Sequence, residues 1–104
     1  MTFAEYELKN FGYVVITDYF DQLENLRTRK EIFEKYKELF EDAKKNYKKL
    51  TELVIVLNVL CWENHNRGNI KQSQLFGGLY HKTHDFACKT LKGEEFEYYY
   101  NITD

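Results

Sequence analysis

The chain of 104 residues contains no proline, only two cysteines and only five glycines. The absence of proline removes the strongest helix breaker, so long helices are permitted anywhere the side-chain pattern supports them. Two cysteines cannot build a disulfide framework, which points to a reducing, cytoplasmic setting. No basic segment followed by an apolar one opens the chain, so no signal peptide is expected. The longest apolar run, residues 53–62, is too short to cross a bilayer. Charge is nearly balanced, 15 basic against 17 acidic residues, which singles out neither nucleic acid nor a membrane surface as a partner. No P-loop, dinucleotide fingerprint, nucleophile elbow or HExxH motif occurs.

Aromatic residues are abundant: nine tyrosines, eight phenylalanines and one tryptophan. No repeat, low-complexity tract or flexible linker divides the chain, so residues 1–104 read as a single domain. Thr2 with Glu5, and Thr28 with Glu31, have capping-box spacing. Gly12 is a candidate stop for the first short helix, and the β-branched residues 13–17 read as an extended connector or edge segment. Phe20, Leu23 and Leu26 share one face of a brief second helix.

From Thr28 onward the apolar positions are Ile32, Tyr36, Leu39, Ala43, Tyr47, Leu50, Val54, Leu57 and Cys61. Their spacing alternates between three and four, the period of one continuous helical face. Glu31 with Lys35 and Glu41 with Lys45 are acid-before-base pairs suited to its solvent side. Residues 53–62 are apolar all round and should be enclosed. A second helix follows over about 70–92, opened by Asn69 with Gln72 and stopped by Lys92-Gly93. Gly77-Gly78 inside it implies either close helix approach or a kink. The expected architecture is all-α, a small bundle on one long central helix (about 29–66), a helical hairpin partner (about 70–92) and short flanking helices. A helix over 29–66 would extend roughly 57 Å, whereas a domain of this size has a radius of gyration of about 13 Å. Either the helix breaks, between Asn46 and Thr51, or it packs against a second copy in a homodimer.

Cys61, His65, His81, His84 and Cys88 offer soft ligands of the kind zinc takes. In an antiparallel hairpin, however, the two cysteines fall roughly 20 Å apart, so neither metal nor other cofactor is expected. His81, His84 and Asp85 sit at acid/base spacing but lack a nucleophile or oxyanion loop nearby, which makes a small His-dependent enzyme the weakest reading. Residues 27–49 hold nine bases and five acids, and Arg27, Arg29, Lys30, Lys44, Lys45, Lys48 and Lys49 form a candidate phosphate-binding face for a nucleic-acid-binding regulator. Phe96 with Tyr98, Tyr99 and Tyr100 cannot all point inward from one short element, so at least one ring is left for a partner. The favoured reading is a non-enzymatic protein-interaction module with no membrane association. Its size and lack of catalytic motifs suit an accessory protein of the phage or mobile-element type, one that regulates or inhibits a macromolecular target such as a defence nuclease.

Overall fold

The apolar stripe over residues 29–66 is carried by two helices, not one. The computed structural model describes residues 18–103, and these form five α-helices with no strand among them: α1 (Asp18–Leu23), α2 (Arg29–Ala43), α3 (Tyr47–Asn66), α4 (Ile70–Thr90) and α5 (Glu94–Thr103). The expected continuous helix is interrupted at residues 44–46, just ahead of the interval expected for a break. Asn46 is the cause. Its backbone is extended (φ −147°, ψ 119°), and its Oδ1 accepts from the amides of Lys48 at 2.9 Å and Lys49 at 3.4 Å. An asparagine in that conformation ends one helix and caps the next. With the stripe folded on itself, the radius of gyration is 13.0 Å and the extents are 38 × 29 × 19 Å. The conflict between helix length and domain size therefore resolves within one chain, and helix length no longer argues for a second copy.

α3 is the centre of the bundle, in contact with each of the other four helices. Within the run expected to be enclosed, Asn58 and Cys61 are half-buried and Trp62, at its end, is 51% exposed, whereas Leu53, Val54, Ile55, Val56, Leu57, Val59 and Leu60 are buried. Burying each such side chain stabilises the fold by about 1.5–3 kcal/mol before entropy is set against it. α2 begins as expected. Glu31 N–H donates to Thr28 Oγ1 at 3.2 Å, and Glu31 Oε1 accepts from Thr28 N–H at 3.2 Å. Because Glu31 is spent on this cap, it makes no pair with Lys35. Lys35 pairs with Glu38, and Glu41 with Lys44, both at i,i+3 instead of the expected i,i+4. α2 is tied to α4 by a buried 2.8 Å hydrogen bond between Tyr36 and Thr83. Thr83 spends its only hydroxyl proton on Leu79 O at 2.7 Å, so Tyr36 is the donor.

α3 and α4 form the main hairpin. α3 ends in a Schellman turn: Gly68 takes φ +82°, its N–H donates to His65 O at 3.1 Å, and Asn69 N–H donates to Asn64 O at 2.8 Å. Asn69 stands at the N-cap of α4, but the expected side-chain cap is not made. Its amide reaches back to Asn64 Oδ1 at 3.4 Å, and Gln72 reaches across to Arg27 O at 3.2 Å. α4 runs unbroken through the glycine pair. A Cβ at Gly77 would lie 3.2 Å from Cys61 Sγ, whereas one at Gly78 would meet nothing within 4 Å. Close approach to α3 is thus the reason for Gly77 alone. α4 stops at Thr90, short of the expected Lys92, because Leu91 leaves in an extended conformation and is buried. Gly93, at φ +63°, starts α5 instead of ending α4; its carbonyl accepts from Glu97 N–H at 3.0 Å. The Thr2–Glu5 box, Gly12 and the extended segment 13–17 lie outside the described residues. No helix among the described residues is long and apolar enough to cross a membrane.

Candidate functional site

The aromatic tail forms α5, and the helix period divides its rings among three environments. Tyr99 is the anchor, 2% exposed, with its hydroxyl 2.5 Å from His84 Nδ1 on α4 and the two rings stacked at 5.8 Å. Burial pushes the Tyr99 phenol well above its ordinary value, so it stays neutral. Tyr98 is half-buried, edge-on to Tyr47 at 5.3 Å, with the Lys48 ammonium 5.9 Å from its ring centroid. Phe96 and Tyr100, one turn apart, share the outer face. They are 37% and 53% exposed, and their rings stack at 6.3 Å with 26° between planes. Glu94, Glu95 and Glu97 are exposed in the first turn of the same helix, where they complement its dipole. Of the four aromatic residues singled out in the sequence, the structure leaves Phe96 and Tyr100 exposed, beside the exposed glutamates of the same helix.

The basic stretch does not form one face. The break at residues 44–46 splits it between α2 and α3, and several of its charges are engaged within the chain. Lys44 pairs with Glu41 at 2.7 Å and Lys49 with Asp42 at 3.3 Å. The Tyr19 hydroxyl also donates to Asp42, at 2.7 Å. That hydrogen bond and Lys49 hold the Asp42 carboxyl below the usual carboxylate range, while burial and Asp42 raise the Tyr19 phenol. Arg29 lies over the Phe33 ring at 5.2 Å, and Arg27 donates to Glu24 O at 3.1 Å. Lys30 and Lys45 point to solvent.

The histidine and cysteine set is not brought together. Cys61 lies against α4 near the hairpin turn, 3.6 Å from Ser73 Oγ. Ser73 already donates to Cys61 O at 2.9 Å, so the thiol is the donor in the longer contact. His65 is exposed beside Trp62, and His81 is exposed beside Tyr80. His84 is half-buried, stacked on Tyr80 as well as Tyr99, with Cys88 Sγ 3.6 Å from its Nε2. Asp85 is exposed. Among the described residues, no three His, Cys, Asp or Glu side chains converge as metal ligands would. His84 is the hydrogen-bond partner of the buried Tyr99 hydroxyl.

Lys71 and Gln74 on α4 carry no signal in the sequence and Gln72 only a helix-start one, yet all three line a groove with Arg27 and Arg29. Only the fold brings these distant positions together. Comparison of the chain with protein-family models, with curated proteins and with solved structures finds no match.

Proposed function

We propose that the protein is a non-enzymatic interaction module that binds another protein through the outer face of α5. One observation carries this reading: the Phe96–Tyr100 pair is stacked and exposed on a helix that Tyr99 fixes to the core. Rigid aromatic side chains supply large contact area at low entropic cost and dominate the energetics of many interfaces. The glutamates of the same helix favour a partner whose contact patch is basic around an apolar centre, and they steer its approach more than they add affinity. The protein would then regulate or inhibit its target by covering the target's surface.

The test is capture from extracts of the source cells, read by quantitative mass spectrometry. A partner retained by the wild-type chain is expected to be lost with Phe96→Ala/Tyr100→Ala and kept with Arg27→Gln. Equal retention by the wild type and the double aromatic variant would refute this surface.

A further inference from the structure

Arg27 and Arg29 flank the start of α2, and Lys71 lies in the first turn of α4. The hydrogen bond from Gln72 Nε2 to Arg27 O holds these two helix starts together. Between them lies a groove of about 360 Å³, lined by Arg27, Arg29, Lys71, Gln72, Gln74 and Leu75. Among the described residues, three cations line it and no carboxylate does. The Lys44–Glu41 and Lys49–Asp42 pairs place carboxylates beside two other lysines of the basic stretch, whereas the described lining of this groove holds none. The acid nearest in sequence to Arg29, Glu31, is turned onto Thr28 N–H and Oγ1. Bringing like charges into one concavity costs free energy unless an anion is shared among them. The first turn of α4 adds to the imbalance, since it contains no acidic residue and its N-cap side chain makes no cap bond. Its leading N–H groups therefore keep their donors, at the positive end of a long helix dipole.

From three cations gathered at the open start of α4 we propose that the groove binds a phosphate ester. The oxyanion sits among Arg27, Arg29, Lys71 and the leading amides of α4. Guanidinium forks match phosphate oxygens in pairs, and an ammonium adds a point charge. The groove is within the size range of small-molecule sites, about 300–1,000 Å³, so it takes a phosphate with an organic group attached. Gln74 and Leu75 give that group an amide and an apolar wall. Phosphate of this kind comes from a small phosphorylated compound or from the diester backbone of a nucleic acid, and the two sources present the same oxyanion. The site is independent of the α5 surface, so either reading stands if the other fails.

Titration of ¹⁵N-labelled full-length protein at constant ionic strength tests this, with inorganic phosphate and single-stranded oligothymidylate as separate probes. Saturable shifts are expected at the Ile70, Lys71 and Gln72 amides and at the Arg27 and Arg29 side chains. Arg27→Gln/Lys71→Gln should weaken binding at least tenfold, while Lys44→Gln should leave it unchanged; the same spectra report that each variant is folded. Oligothymidylate binding that weakens with salt and is competed by phosphate upholds the site and assigns it to a nucleic-acid backbone. Saturable phosphate binding without oligothymidylate binding upholds it for small phosphate compounds. No saturable response to either probe, or equal binding by the double variant, overturns the proposal.

Discussion

Gly77 and Gly78 are neighbours in sequence and should respond to the same substitution with opposite tendency. In a helix interior, alanine is favoured over glycine by about 1 kcal/mol. At Gly78 nothing opposes this gain, because an added Cβ meets no atom within 4 Å. Gly78→Ala is therefore expected to stabilise the fold by about 1 kcal/mol, which raises Tm by roughly 4–8 °C in a domain of this size. At Gly77 the new Cβ would stand 3.2 Å from Cys61 Sγ. That sulfur is hydrogen-bonded to Ser73, and α3 and α4 pack closely there, so it yields at a cost. Overpacking costs about 1–3 kcal/mol, and the small overlap here belongs at the lower end, enough to cancel the helical gain. Gly77→Ala should therefore be neutral or mildly destabilising, roughly 1–2 kcal/mol below Gly78→Ala. Urea denaturation of both variants, each also made with Cys61→Ala, closes the cycle. Without the sulfur, Gly77→Ala should recover its gain of about 1 kcal/mol. Equal stabilisation by both glycine substitutions in the parent chain, or a Gly77–Cys61 coupling below about 0.3 kcal/mol, refutes the close-approach argument.

Two further substitutions probe the polar contacts that position the helices. Tyr99→Phe leaves His84 Nδ1 without its partner in a half-buried setting, and the loss expected in urea denaturation is about 1–2 kcal/mol; a change under about 0.3 kcal/mol would show that the bond contributes little. Asp42 has a folded pKa below its ordinary 3.8, from Tyr19 first and Lys49 second. The unfolded chain therefore binds the proton more readily than the folded one. The stabilising contribution is present above the ordinary value and is lost as pH falls below it. Asp42→Asn should accordingly flatten part of the fall in stability between pH 7 and pH 3, and an unaltered pH profile would contradict the assignment.

The capping box at Thr28 and the burial of most of residues 53–62 were legible because both depend on local pattern, but the pattern did not show that Trp62 at the end of the run faces outward. The break before α3 was misplaced for an equally local reason. Ala43 and Tyr47 are four apart, so the apolar stripe keeps its phase across the interruption and periodicity does not register it. The only signal was Asn46 itself, an N-cap residue without the acid three positions later that completes a capping box. In α5, the pattern implied that at least one ring must face outward. It did not reveal that Tyr99 is the inward one, because its partner His84 belongs to another helix. The groove of Arg27, Arg29 and Lys71 was invisible for the same kind of reason, since a hydrogen bond from Gln72 to a distant carbonyl creates it.

Because the other four described helices all rest on α3, the bundle does not come apart evenly. Opening α5 breaks chiefly its contacts with α3 and the single Tyr99–His84 link, while the α3–α4 hairpin keeps its packing. Disturbing α3 removes the support of all four neighbours at once. Local openings should therefore be graded, with amide protons of α5 exchanging with solvent at lower free energy than those of the buried middle of α3. The helix that presents Phe96 and Tyr100 thus detaches at lower cost than the α3–α4 hairpin opens, and a partner seated on it would slow the exchange of that helix first.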